Sequence, residues 1–154
     1  MTNTPTKFAI TPPEFSIQQI YLKDASLESP RSPQIFQEEW KPELNLQFSM
    51  NTNKLADSQY ESILQITATA SVQGKTIFLI EIKQAGFFTL KGFTDEQIQQ
   101  TLSITCPTIL FPYAREAISN LVTKAGFPSL YLSPVNFEAL YTQQAQAQHD
   151  ETIH

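Results

Sequence analysis

Few residues in this 154-residue chain are of the types that carry out chemistry. There is one cysteine, Cys106, and there are two histidines, His149 and His154. A serine or cysteine nucleophile needs a base held within hydrogen-bond reach, and both histidines sit at the C-terminal end, where no apolar anchor would hold an imidazole in place. Cys106 precedes Pro107 at the start of a helical pattern. A helix N-terminus can lower a thiol pKa, but without a partner base Cys106 reads as a core cysteine. Glu38 and Glu39 form a carboxylate pair only in sequence, because adjacent side chains point apart. Four glycines cannot build a phosphate-cradling loop of the usual kind. No His, Cys, Asp or Glu spacing matches a metal site. The expectation is a protein without a catalytic centre, cofactor or metal, one that works through its surfaces.

Composition narrows this further. The formal charge of −5 argues against binding a phosphate backbone, whose affinity comes from counterions displaced by Lys and Arg. It suits a partner or client that carries positive charge. A single cysteine excludes an intramolecular disulfide and fits a reducing compartment. Met1 to Pro13 is polar with no apolar run, and nothing approaches the ~20 apolar residues of a membrane span. The expected location is therefore the cytoplasm, with no insertion into the membrane.

The elements that would build such surfaces can be read in order. Residues 1–14 form a polar, flexible leader, 15–147 the folded domain, and 148–154 a disordered tail. In the first strand candidate, Phe15 to Ser26, Phe15 and Ile17 alternate, and Ile20 and Leu22 continue on the other parity. A bulge would produce that phase switch. Glu28 to Pro42 is a long connection, because Pro30, Pro33 and Pro42 forbid regular structure. It carries Phe36 and the only tryptophan, Trp40. Leu44, Leu46, Phe48 and Met50 alternate with polar residues as a half-buried strand. Asn51 to Ser58 reads as a polar turn region, and Gln59 to Val72 as a third strand. Gln73-Gly74 marks a hairpin, and a fourth strand runs from Thr76 to Leu90 with a kink near Gly86.

Thr94 to Gln97 is a capping-box pattern, opening a short helix that ends before Pro107. The main helix follows to about Lys124, with Ile109, Leu110, Tyr113, Ala114, Ala117, Ile118, Leu121 and Val122 on one face. Pro112 lies inside it, and Gly126-Phe127-Pro128 closes it. Asn136 is placed to cap a last helix of about Phe137 to Gln146. Strands followed by helices argue an α+β fold: a four-stranded antiparallel sheet with C-terminal helices packed on one face. The fourth strand is apolar on both parities, with Ile77 and Leu79 expected one way and Phe78, Ile80 and Ile82 the other. Either a second copy of the chain covers the extra face, or the strand is sandwiched within one domain.

One stretch carries a resemblance. Cys106-Pro-Thr-Ile-Leu-Phe-Pro-Tyr-Ala-Arg-Glu116 closely resembles the signature helix of the SecB family of bacterial export chaperones. Tyr21-Leu22-Lys23-Asp24, Phe36-Gln37 with Trp40 and Pro42, and Phe127-Pro128 leading to Pro134-Val135-Asn136-Phe137 match in the same order. The resemblance implies an ATP-independent holdase, assembled as a homotetramer (a dimer of dimers). It would keep unfolded secretory preproteins translocation-competent and deliver them to the SecA ATPase. It places client contacts at Phe36, Trp40, Leu44, Leu46, Phe48, Tyr113 and Tyr141, and SecA docking at Asp24, Glu28, Leu79 and Glu81. The tetramer interface falls at Phe78, Ile80, Ile82 and Gln84. Two alternatives stay open on the sequence: a SecB-like chaperone of a toxin–antitoxin system, and a small-ligand enzyme with a pocket under the Trp40 loop. The tail has only Asp150 and Glu151 as acids, which puts auxiliary docking through it in doubt.

Overall fold

The computed structural model describes residues 12–153, and the side-chain surroundings of residues 12–147. Four strands, β1 (Glu14–Glu28), β2 (Glu43–Ala56), β3 (Gln59–Val72) and β4 (Lys75–Lys91), form one antiparallel sheet in the order β1-β4-β3-β2. Because β1 and β2 occupy opposite edges, the chain must cross the width of the sheet between them. The long proline-bearing connection of residues 29–42 is the consequence of that topology.

Two irregularities in β1 explain its mixed parity. Ile17 pairs with Phe88 and Gln19 with Phe87, leaving Gln18 unmatched; Leu22 pairs with Gln84 and Asp24 with Lys83, leaving Lys23 unmatched. Each extra residue resets the alternation, so Phe15, Ile17, Ile20, Leu22, Ala25 and Leu27 all fall on the helix side of the sheet. At the β3–β4 hairpin, Gln73 (φ 52°) and Gly74 (φ 77°) both adopt the left-handed conformation that the tight two-residue turn requires. The region from Asn51 is strand rather than turn: β2 continues to Ala56, paired with Gln59 to Ile63 of β3. Its side chains, polar from Asn51 to Lys54, are exposed, and backbone pairing with β3 sustains the strand. At Gly86 β4 runs on without interruption. A Cβ there would lie 2.6 Å from the Phe88 ring, so the glycine makes room for that ring.

Residues 95–124 are one helical run. The segment α1 (Asp95–Gln100) starts on a complete capping box: the Gln97 N–H donates to Thr94 Oγ1 and the Thr94 N–H donates to Gln97 Oε1. A π turn at Thr101–Thr105 leads directly into α2 (Cys106–Lys124). The sequence suggested a break before Pro107. Instead the wider turn absorbs the missing N–H and the ring's clash with the preceding turn. Helix α3 (Phe137–Ile153) is capped by Asn136 Oδ1, which accepts from the Ala139 N–H at 2.9 Å. It reaches Ile153, beyond the Gln146 boundary expected, so 148–153 is helical rather than tail. The leader expected at 1–14 lies outside the described residues up to position 11, and β1 already includes Glu14.

Helix α2 lies over β3 and β4. Its Leu110, Ala114, Ile118 and Val122 meet Leu64, Ile66 and Ala68 of β3 and Ile80, Ile82 and Phe88 of β4, all fully buried. Each large side chain here contributes about 1.5–3 kcal/mol by leaving water.

This core corrects the reading of β4. Ala70 pairs with Phe78 and Ser71 with Thr76, leaving Ile77 as an extra residue that is buried in the core beside Phe78. Of the apolar run only Leu79 turns to the opposite face. Phe78, Ile80 and Ile82 are buried within the single chain, and buried Gln84 donates from Nε2 to the Tyr21 carbonyl at 3.1 Å. No second copy is needed to take these four out of water.

Candidate functional site

The sheet has two faces with different chemistry. On the helix side, Leu44, Leu46, Phe48 and Met50 of β2 pair with Ala70, Ala68, Ile66 and Leu64 of β3. Those β3 partners are sealed by α2, but α2 stops short of the β2 edge, and the β2 row stays half open: Leu44 is 45% exposed, and Leu46, Phe48 and Met50 are partly exposed. The seven strand residues from Leu44 to Met50 make this stripe roughly 20 Å long.

Aromatic side chains bound it. At the end where the chain enters β2, Trp40 stacks on Phe127 (ring centroids 5.1 Å apart), and Phe36 lies tilted on the same ring at 5.4 Å. Phe127 is in turn backed by Phe78 at 5.4 Å. Ile35, buried in the 3₁₀ turn Gln34–Gln37, anchors the loop, which leaves Phe36 51% exposed. Along the middle, Phe48 faces Phe111 at 6.5 Å, and Phe111 meets Phe137 edge-on at 6.0 Å. At the far end Tyr141 and Gln144 of α3, Leu102 and Ser103 of the π turn, and Phe48, Met50 and Thr52 line a cleft. Tyr113 projects from α2, 50% exposed.

All seven side chains named as client contacts therefore keep accessible surface, and Trp40, Leu44, Leu46, Phe48 and Tyr141 follow the β2 row. Under the Trp40 loop, where the enzyme alternative would need a pocket, Ile35 is buried and Trp40 stacks on the buried Phe127. Cys106 is fully buried, and burial pushes its thiol up to about 12, so it stays protonated and is no nucleophile. Among the described residues no three of His, Cys, Asp and Glu converge as a metal site.

The opposite face is polar. In register, Asp24 lies across from Lys83, Ser26 from Glu81, and Glu28 from Leu79, and directly opposed residues share a face. The extra residue Lys23 is what puts Asp24 and Glu28 on that side. Asp24, Glu28 and Glu81 are exposed and Leu79 is partly so, giving three carboxylates around one apolar side chain.

Beside them lies a network that the sequence reading missed. Glu61 of β3 is only 7% exposed. It accepts from Lys23 Nζ at 3.0 Å, from Asn53 Nδ2 at 2.9 Å and from the Tyr21 hydroxyl. Burial pushes the Glu61 carboxyl up, but the hydrogen bonds from Tyr21, Asn53 and Lys23 and the Lys23 charge outweigh it, holding the group below its ordinary range. Burial, followed by the bond to Glu61 and its charge, pushes the Tyr21 phenol up to about 12. Glu61 shares the polar parity of Gln65, Thr67 and Thr69, so nothing in the alternation of β3 signalled its burial.

Comparison with known proteins is consistent across sequence and fold. Residues 9–148 match the family model described as "Preprotein translocase subunit SecB". A protein-export protein SecB of Marinobacter nauticus is 50% identical over 139 residues, 90% of this chain and 84% of that protein. One from Hahella chejuensis is 49% identical over 136 residues (88% and 86%), and one from Nitrosococcus oceani 51% over 135 residues (86% and 82%). Among solved structures, a SecB-like chaperone of Mycobacterium tuberculosis, in complex with a peptide from an antitoxin, superposes with a TM-score of 0.66. It is 20% identical and covers 79% of this chain and 91% of its own; at that identity the likeness shows the fold alone.

Proposed function

This chain belongs to the SecB family, so it is a protein-export chaperone rather than an enzyme, and we propose that it captures non-native preproteins along the β2 stripe. The half-open apolar row of β2, flanked by Phe36 and Trp40 at one end and Tyr141 at the other, carries this reading. An unfolded chain presents apolar side chains in no fixed order. A stripe of aliphatic floor and aromatic wall gains about 25 cal/mol per Å² of apolar area whatever the sequence. Capture without a nucleotide or covalent step is reversible, so it competes with folding rather than preventing it.

The same reading extends to partners. SecA docks on the opposite face through Asp24, Glu28, Leu79 and Glu81, where carboxylates steer a basic partner and Leu79 supplies apolar contact. The protein works in the cytoplasm; among the described residues no helix is long and apolar enough to cross a membrane. It assembles as a homotetramer, which raises the hold on long clients by multivalency. Since Phe78, Ile80, Ile82 and Gln84 are already buried in the single chain, its contacts draw on exposed apolar residues such as Ile17 and Leu22 of the edge strand β1. Export is favoured over service to a toxin–antitoxin pair by the relatives at about 50% identity, each named for protein export.

The test is a refolding assay. A slow-folding precursor diluted from denaturant should regain structure more slowly with this protein present, with no nucleotide added, while light scattering reports a mass near four chains. Unchanged refolding would remove the capture reading, and a monomer mass would remove the assembly.

A further inference from the structure

Within the crossing loop, Phe36 is an unusual residue: a large apolar ring, half exposed, on a segment that is otherwise tied down. Ile35 is buried beside it, and the turn is closed by backbone bonds from Ile35 N–H to the Arg31 carbonyl (2.9 Å), Phe36 N–H to the Pro33 carbonyl (3.0 Å) and Glu38 N–H to the Ile35 carbonyl (3.1 Å). Across the base of the same turn Arg31 Nη2 donates to Glu38 Oε1 at 3.0 Å. Beneath the ring lies Gly126, at φ +92°. A Cβ there would stand 3.1 and 3.3 Å from two ring atoms of Phe36, so the ring rests where a side chain would otherwise be.

We propose that Arg31, Glu38 and Gly126 are positioning residues for polypeptide capture, fixing the Phe36 ring with one side on Gly126 and Phe127 and the other open to an apolar client side chain. The inference rests on the capture function proposed above and deepens it. A half-exposed aromatic held in one pose loses less entropy when a client side chain stacks on it. The ion pair suits this role better than a stabilising one, since both partners are partly exposed and such pairs add little to folding. The side-chain-free seat lets the edge of the ring come close to the end of α2 while the ring packs tilted on Phe127.

The experiment is a charge swap in the full-length protein: Arg31→Glu, Glu38→Arg and the two together. Binding of a reduced, carboxymethylated, permanently unfolded lactalbumin is followed by titration calorimetry. Each single swap should weaken binding by up to about fivefold, and the double swap should restore it. The urea midpoint should stay at the wild-type value throughout. One single swap makes the chain more acidic and the other more basic, so a simple effect of client charge would move the two in opposite directions. Gly126→Ala should weaken binding as well, by crowding the ring, and at φ +92° it should also lower the urea midpoint. If wild type binds the probe and the single swaps bind it equally well, or the double swap fails to recover, the positioning role is wrong. If wild type does not bind the probe at all, the capture function itself fails and the inference falls with it.

Discussion

The two faces of one sheet are built from the same four strands and differ in what covers them. On the helix side α2 seals β3 and β4, while the β2 row is left half open. The other side carries three exposed carboxylates about Leu79, and Glu61 held by Tyr21, Lys23 and Asn53. The difference teaches that an apolar strand pattern does not by itself report function. Ile80 and Leu46 are both apolar residues on the helix side, yet one is structural and the other lies in the proposed capture stripe, because the helix covers two strands and not the third.

The sharpest separation of those roles comes from the core. Ile80→Ala should cost about 3 kcal/mol of stability, as expected for a truncated buried aliphatic, measured as a lowered urea midpoint at constant subunit mass. Dissociation of an assembly without loss of subunit stability would return Ile80 to an interface. Leu44→Asp on the open row, combined with Tyr113→Ala on α2, should weaken capture of an unfolded client by about tenfold or more, with folding preserved, read by calorimetry. On the polar face, Asp24→Lys with Glu28→Lys should reduce SecA docking by about tenfold and reduce its salt dependence, while leaving capture unchanged. Loss of both activities together would show that the two faces are not independent.

The smallest expected effect is at the Glu61 network. Tyr21→Phe should cost about 1 kcal/mol. The unfolded phenol titrates near 10 and the folded one near 12. The hydrogen bond's contribution is therefore complete below pH 10 and is lost as pH rises toward 12. Denaturation midpoints of wild type should fall through that window by more than those of Tyr21→Phe. Glu61 has the opposite sign: its carboxyl is held low, so its contribution is present above the ordinary glutamate range and is lost as pH falls below it.

Much of this was legible in the sequence because local rules and the fold agree. The alternation at Leu44 to Met50, the Gln73-Gly74 turn, the Thr94 capping box and the Asn136 cap each state a backbone requirement directly. The phase switch in β1 was readable as a bulge, although not as the device that aims Asp24 and Glu28. What escaped depends on residues far apart in the chain. Nothing local says that the apolar run of β4 would be covered by α2, that Ile77 would be an extra residue, or that a π turn would carry the helix past Pro107. Burial of Glu61 depends on Tyr21, 40 residues away in sequence, and polar partners at that separation leave no periodicity. The candidate client residues were found through the family motif, and only their surroundings explain why they remain accessible.

The division between the two faces can be measured in one titration. With methyl-labelled leucines, an unfolded, reduced client should shift and broaden the signals of Leu44 and Leu46 on β2 and leave Leu79 on the opposite face unmoved. Perturbation of Leu79 with silence at Leu44 and Leu46 would contradict the account, since the client would then be held on the polar face and the open row beside α2 would have no part in capture.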